Sequence, residues 1–105
     1  MNRDIIPEPI EFEWSKGNVD KNLKKHGVKN EEAEEVFLND PLVYEDLEHS
    51  EFEKRYDCLG KTDKGRELFI SFTLRSDKIR IISARMMSKK ERKRYEQKIY
   101  RITKI

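Results

Sequence analysis

The stretch ELFISFTLRSDKIRIISAR, residues 67–85, decides the fold of this 105-residue chain. Apolar and polar side chains alternate over 67–75 and again over 79–85, which is the period of a strand with one buried face. Ser76 and Asp77, which lie between the two runs, favour a two-residue turn. The sequence therefore predicts an antiparallel β-hairpin.

The predicted hairpin has one apolar and one polar face. A two-residue turn places Thr73 opposite Arg80, and the same register places Ser71 opposite Ile82. The face away from the core then carries hydroxyls and cations, namely Ser71, Thr73, Arg75, Lys78 and Arg80. Guanidinium groups donate paired hydrogen bonds to phosphate oxygens, so this face suits RNA; a merely solvated sheet face has the same pattern.

Arg85 does not fit this alternation, because a regular strand places it on the core side. An unpaired arginine is rarely buried. Three arrangements stay open at this point. Arg85 lies past the end of the strand, pairs with an acid such as Glu13 or Glu53, or projects into a cleft under the last helix.

The N-terminal third predicts a loose arm over 1–9, a short strand over 10–14 and then a helix. Ser15 is the expected cap of this helix, which runs through residue 25 or 26. Val19 and Leu23 are expected on its inner face because they lie four residues apart.

A second helix follows Gly27, with Asn30 as its cap and Asn39-Asp40-Pro41 as its stop. Strands are predicted over 42–45 and 55–61. Ser88 and Glu91 form a capping box that begins a basic helix through about Tyr100. Adjacent strands with tight turns imply an antiparallel sheet of four to five strands, with two N-terminal helices packed on it and a C-terminal helix: an α+β fold.

Length and composition favour one domain, residues 10–105, in the cytoplasm. The chain has no apolar run near 18 residues and no signal-peptide pattern, so no membrane partner is expected. Its single cysteine, Cys58, excludes an intrachain disulfide and a thiolate metal cluster. Two histidines 23 positions apart are a poor metal site, and no cofactor-binding motif is present. We expect no cofactor and no metal.

The net charge of +2 hides a strong asymmetry along the chain. Residues 31–57 carry 2 basic and 11 acidic side chains, a net of −9. Residues 58–105 carry 15 basic and 5 acidic side chains, a net of +10. The cationic half favours a phosphate-bearing partner and the acidic stretch a basic one, unless the two faces simply neutralise each other.

Several pieces of the sequence together resemble the BrnT family of type II toxins. The similarity runs in order over residues 10–97. Its pieces are Phe12-Glu13-Trp14, Asn22 through Val28, Glu31-Glu32-Ala33, Val36-Phe37, His49-Ser50, Glu53, Arg55, Leu59-Gly60, Phe72-Thr73, Arg75, Ile79 through Arg85, Glu91-Arg92 and Tyr95. The departures include Ser15-Lys16, where Asp-Pro is frequent in the family, and Met86, where an arginine is common.

The resemblance implies a RelE-like fold and a ribonuclease that blocks growth by cleaving RNA. It also implies neutralisation by a ribbon-helix-helix (BrnA-like) antitoxin in a hetero-oligomer, with promoter DNA bound only through the antitoxin. Arginine and lysine stabilise charge that develops on phosphate, while a base near the 2′-hydroxyl starts the attack. A non-catalytic partner-binding or co-repressor module that keeps the fold is the alternative.

The site residues expected on this basis fall into two groups. The catalytic candidates are Arg75 and Arg85 as phosphate stabilisers, His26 as the leading acid–base group, and Tyr95. The candidates for binding RNA phosphate are Lys25, Lys78, Arg80, Lys89 and Arg92. His49, in the acidic loop, has the sequence context of a surface residue.

Overall fold

The computed structural model describes residues 5–17 and 19–103, with side chains through Lys98. One antiparallel sheet has the strand order β1-β2-β3-β4. Its strands are β1 (Leu42–Glu45), β2 (Tyr56–Lys61), β3 (Glu67–Arg75) and β4 (Lys78–Met86). The helices are α1 (Lys21–His26), α2 (Asn30–Leu38) and α3 (Lys89–Thr103). The predicted α+β fold is confirmed.

β3 and β4 form the predicted hairpin. Ser76 and Asp77 have φ values of 50° and 62°, so both are left-handed, as a type I′ turn requires. The twist of this turn matches the twist of the flanking strands. Next to the turn, Thr73 lies opposite Arg80 as predicted.

A β-bulge changes the register further along the hairpin. Ser71 lies opposite Ser83 and not opposite Ile82, because β4 carries an extra residue at this point. Side chains beyond a bulge change face relative to a regular strand. Arg85 therefore lies opposite Phe69 on the polar face, whereas a regular strand would have placed it on the core side. Of the three arrangements left open, the structure has Arg85 under the last helix, where it pairs with Glu91.

α2 covers the apolar face of the sheet. Its buried residues are Ala33, Val36 and Phe37. They join one core cluster with Val28, Val43, Cys58, Leu68, Ile70, Phe72, Ile79, Ile81 and Ala84. Gly60 allows the close approach, since a Cβ at this position would lie 2.7 Å from Val36 Cγ1.

The first helix differs from the prediction. It begins at Lys21, well after Ser15, and Val19 and Leu23 are 40% and 46% exposed. Its buried residue is Asn22, whose Oδ1 accepts a hydrogen bond from Ala84 N at 3.1 Å. β4 is an edge strand, and α1 supplies a hydrogen-bond acceptor to a backbone N–H of that edge. The prediction was instead that α1 buries an apolar stripe.

The N-terminal segment covers the same edge. The predicted strand over 10–14 is reduced to a parallel bridge between Phe12 and Ile79. Ile79 N donates to Glu11 O at 2.8 Å, and Glu13 N donates to Ile79 O at 2.9 Å. Of the predicted arm, residues 1–4 lie outside the described range, while Ile5 and Ile6 pack against the core.

The helix caps were predicted in part. α2 begins one residue earlier than expected, with Lys29 in the cap position and its N–H bonded to Glu32 Oε1 at 3.1 Å. The capping box of α3 is confirmed. Ser88 N donates to Glu91 Oε1 at 2.8 Å, and Glu91 N donates to Ser88 Oγ at 3.2 Å.

α3 lies on the opposite face of the sheet from α2. Tyr95 forms a second cluster there with Leu42, Leu59 and Met87, against which Phe69 and Tyr44 pack. The helix covers only one end of that face. The remainder is left to polar side chains and to the loop over 46–55.

Candidate active site

We call the face of the sheet that points away from α2 the polar face, and α3 covers one end of it. It is built from three strands, with side chains from Asp57, Ser71, Thr73, Arg80, Ser83 and Arg85. Asp57 and Ser83 flank Ser71, one on each neighbouring strand. The bulge in β4 is what brings Ser83 and Arg85 to this face beside Arg80.

Asp57 is a buried carboxyl at the centre of the polar face. Burial and, to a smaller extent, the neighbouring Asp46 carboxyl raise its pKa to about 6, against the hydrogen bond from Ser71. Ser71 Oγ donates to Asp57 Oδ1 at 2.8 Å. A carboxyl with this pKa exchanges its proton close to neutral pH.

Asp46 joins this buried carboxyl to a histidine. Burial acts to raise the pKa of Asp46, but its hydrogen bonds with Asp57 and His49 outweigh burial and lower it. His49 Nδ1 lies 3.0 and 3.1 Å from the two carboxylate oxygens of Asp46. Asp57, Asp46 and His49 thus form a hydrogen-bonded chain from the sheet to an exposed imidazole, which we call the acid–histidine chain.

The loop that carries His49 is closed by its own hydrogen bonds. Asp46 N donates to Arg55 O at 2.7 Å. Ser50 Oγ donates to Asp46 O at 2.6 Å and accepts from Arg55 N at 3.0 Å. A loop fixed at both ends in this way holds His49 against the sheet.

A cleft of about 410 Å³ lies between this loop and the sheet. It is lined by Glu48, His49, Glu51, Phe52, Glu53, Arg55, Thr73 and Ile82. Arg55 Nε and Thr73 Oγ1 are buried there, with no hydrogen-bond partner among the described residues. Unsatisfied buried groups are costly, so a polar cleft that contains two of them is suited to a polar ligand.

The end of the polar face beneath α3 is arranged differently. Arg85 donates from Nη1 and Nη2 to the two oxygens of Glu91 at 2.8 and 2.9 Å. Its guanidinium also lies 4.3 Å from the centroid of the Phe69 ring. The Glu91 hydrogen bonds raise the pKa of Arg85 against partial burial.

Other cations at this end also have partners. Arg92 Nε lies 2.9 Å from Glu67 Oε1, and the Arg94 guanidinium lies 4.5 Å from the centroid of the Tyr44 ring. Burial raises the pKa of Tyr44, and Arg94 opposes that shift. These contacts attach α3 to the sheet.

The structure separates the two arginines predicted as phosphate stabilisers. Arg75 is exposed at the hairpin turn, opposite Lys78, and its Nε lies 3.2 Å from Glu53 Oε2. Arg85 lies about 20 Å away along the hairpin. Arg80 lies between them, opposite Thr73.

The remaining predicted residues lie on helices. Lys25 and His26 are exposed on the last turn of α1, which covers the edge of β4. Lys89 is exposed at the start of α3. Tyr95 is buried in the second cluster, where burial raises its pKa.

Sequence reasoning missed Asp46, Asp57 and Arg55 and gave His49 no chemical role. The sequence did place Asp57 on the same face of a predicted strand as Arg55 and Leu59. It did not indicate that this face is buried at Asp57. The contact with Asp46 comes from another strand end and leaves no local pattern.

Two features are absent from the part of the chain that the structure describes. In residues 5–17 and 19–103, no three histidine, cysteine, aspartate or glutamate side chains are grouped to hold a metal ion. No helix of the described chain has the length and apolar character needed to cross a bilayer.

Comparison with known proteins places this chain in a family. The family described as "Ribonuclease toxin, BrnT, of type II toxin-antitoxin system" matches residues 14–91, well over half of the chain. No curated protein matches this sequence. The crystal structure of the Brucella abortus ribonuclease toxin BrnT is similar in fold, with a TM-score of 0.58 at 21% identity, over 76% of this chain and 99% of that chain. The chain belongs to the BrnT family of ribonuclease toxins of type II toxin–antitoxin systems.

Proposed function

We propose that this chain is a metal-independent endoribonuclease that cleaves RNA at the polar face and so inhibits translation. The observation that carries the proposal is the acid–histidine chain beside a cleft with unpartnered donors. Membership of a ribonuclease toxin family supports the substrate class.

The reaction that fits these groups uses the RNA's own nucleophile. A base removes the proton of a 2′-hydroxyl, whose oxygen attacks the adjacent phosphorus. The bond from phosphorus to the 5′-oxygen breaks, and an acid protonates that oxygen. The products carry a 2′,3′-cyclic phosphate and a 5′-hydroxyl, and cations stabilise the extra charge on phosphate in the transition state.

His49 is the base in this proposal. Its Nδ1 faces the carboxylate of Asp46, so the proton of the neutral ring is held there and Nε2 stays free to accept the 2′-hydroxyl proton. The imidazolium that forms is stabilised by the same carboxylate. Asp46 and Asp57 are positioning residues, since they act through His49. His26 is the competing acid–base candidate, on α1.

Arg55 lines the same cleft as His49, and Arg80 lies opposite Thr73, which also lines it. Neither arginine forms an ion pair with a carboxylate among the described side chains. We assign the developing phosphate charge to them first. Arg75 and Arg85, each already held by a glutamate, are proposed to act more weakly. Lys25, Lys78, Lys89 and Arg92 add attraction for the RNA backbone without chemistry of their own.

The partner proposed for this toxin is a ribbon-helix-helix antitoxin that covers the polar face in a hetero-oligomer and carries any promoter binding. Its support is the family description, which names a toxin–antitoxin system. The acidic stretch of the sequence does not form one surface in the fold. Part lies on α2, where Glu34 accepts from Trp14 Nε1 at 2.7 Å and Glu32 binds Arg66, and part lines the cleft.

The test is cleavage of a short RNA by the purified chain in the presence of EDTA, with the product ends identified by mass. The proposal expects 2′,3′-cyclic phosphate and 5′-hydroxyl ends and an unchanged rate with EDTA. It also expects growth arrest on expression, relieved by a co-expressed antitoxin. A folded chain that cleaves no RNA and leaves growth unaffected would instead support the partner-binding module.

A further inference from the structure

We infer that the cleft between the loop over 46–55 and the β3–β4 hairpin is a subsite for one unstacked nucleobase, held against the ring of Phe52. The inference rests on the proposed function for its substrate class, RNA. It adds which part of the RNA the cleft receives and which residues select it.

The first support is the exposure of Phe52. Its side chain is 100% exposed and lies at the cleft wall. An aromatic ring in that position contributes nothing to the core, yet offers a flat apolar surface. Bases stack on such rings in single-stranded RNA recognition, at roughly fivefold or more in affinity per base.

The second support lies at the floor of the cleft. Thr73 is only 4% exposed, and its Oγ1 has no hydrogen-bond partner among the described residues. The hydroxyl can donate and accept, as the edge of a base requires. Ile82, the extra residue of the bulge, supplies an apolar wall beside it.

The third support is the charge of the side chains that line the cleft, because this charge favours a base over a phosphate. Glu48 and Glu51 line the cleft, and their carboxylates disfavour a second phosphate there. Carboxylates accept hydrogen bonds from amino groups. Adenine, cytosine and guanine carry an exocyclic amino group and uracil does not, so the subsite is expected to disfavour uracil.

His49 connects the subsite to the chemistry. It lines the cleft and also ends the acid–histidine chain. A base seated on Phe52 therefore lies next to the group assigned to the 2′-hydroxyl. Binding of that base would orient the adjacent sugar and phosphate for cleavage.

The experiment measures binding, so that it does not depend on cleavage. Labelled oligonucleotides with 2′-deoxy sugars throughout carry, at one central position, an adenine, a uracil or an abasic residue. Their affinities are compared by fluorescence anisotropy for the wild type, Phe52→Ala, Phe52→Trp and Leu47→Ala. Leu47 is the matched control because it is 82% exposed in the same loop but does not line the cleft.

The expected result is about fivefold or tighter binding of the adenine strand than of the abasic strand by the wild type, with uracil weaker than adenine. Phe52→Ala should bind all three alike, while Phe52→Trp and Leu47→Ala keep the preference. Equal affinity of the wild type for all three strands would overturn the inference. The same would follow if Phe52→Ala lowered the affinity for every strand by the same factor. Loss of antitoxin binding in Phe52→Ala with base preference intact would assign the ring to protein docking instead. A chain that shows the base preference but cleaves no RNA would refute the proposed function and leave the subsite standing.

Discussion

The two ends of the polar face have the same kinds of side chain but differ in how the arginines are paired. Beneath α3, Arg85 donates two hydrogen bonds to Glu91, and Arg92 lies within ion-pair distance of Glu67, although its buried Nε makes no hydrogen bond to a described residue. Beside the loop over 46–55, Arg55 Nε and Thr73 Oγ1 are buried without hydrogen-bond partners among the described residues. The arginines at the α3 end are thus each held by a glutamate, whereas the loop end keeps two buried polar groups without partners in the described chain. We propose that the α3 end holds the helix in place and that the loop end receives the substrate.

Among the residues that act through or beside His49, the largest effect is expected at Asp46. Asp46→Asn keeps the shape of the side chain but removes the charge that holds the proton on Nδ1 of His49, so cleavage should fall by roughly 10²-fold or more. Single-turnover cleavage of a defined RNA measures it. Asp77→Asn is the matched control, because Asn is equally suited to the left-handed turn. Similar rates in the two variants would remove the loop end from the chemistry.

Substitution of the arginines directly tests the difference between the loop end and the α3 end of the polar face. Arg55→Lys and Arg80→Ala should each lower the cleavage rate by roughly tenfold to 100-fold, since both remove a guanidinium that has no carboxylate partner among the described side chains. Arg85→Ala should lower it by less than either, because its guanidinium is already bound to Glu91. A folded Arg85→Ala variant with the greatest loss of the three would reverse the assignment of the two ends.

The raised pKa of Asp57 leads us to expect an unusual dependence of stability on pH. Its pKa is raised to about 6 in the fold, from about 3.9 in an unfolded chain. The folded state then binds the proton that the unfolded state has lost, so the free energy of unfolding falls as pH rises between these values, by up to about 3 kcal/mol.

Asp46 contributes little to the change above about pH 5, because its pKa is lowered in the fold and an unfolded aspartate is already mostly ionised there. Urea unfolding of the wild type and of Asp57→Asn at pH 4.5 and pH 7.5 checks the prediction. The difference in stability between the two proteins should change with pH. A constant difference would mean that Asp57 is not held protonated by the fold.

The smallest effect is expected at the hairpin turn. Arg75 and Glu53 are both about half exposed, so their ion pair is screened by solvent. Arg75→Ala should change the free energy of unfolding by less than about 0.5 kcal/mol, measured by the same urea titration. A loss several times larger would show that this pair also fixes the loop over 46–55.

The hairpin turn and the helix cap could be predicted from the sequence because each depends on residues that are close together in the chain. The turn at Ser76 and Asp77 and the capping box at Ser88 each depend on residues within four positions of one another. The predicted pairing of Ser71 with Ile82 was wrong for a related reason. Ile81 and Ile82 are both apolar, so the alternation that would reveal an extra residue is hidden at that position.

The candidate site was less accessible to sequence reasoning. Asp46 and Asp57 approach each other only because β1 and β2 pair, and the raised pKa of Asp57 comes mainly from burial, which alternation alone does not report. The helix α1 shows the same limit. Val19 and Leu23 have core spacing, but the edge of β4 needed the polar group of Asn22.

The chain has two histidines, and they separate the competing accounts most directly. His49 ends the acid–histidine chain, whereas His26 is exposed on α1. Single-turnover cleavage of one defined RNA should be compared for His49→Ala and His26→Ala, with folding checked by urea titration. The account predicts a loss of roughly 10²- to 10⁴-fold for His49→Ala and less than about threefold for His26→Ala. The reverse order, in folded proteins, would contradict it.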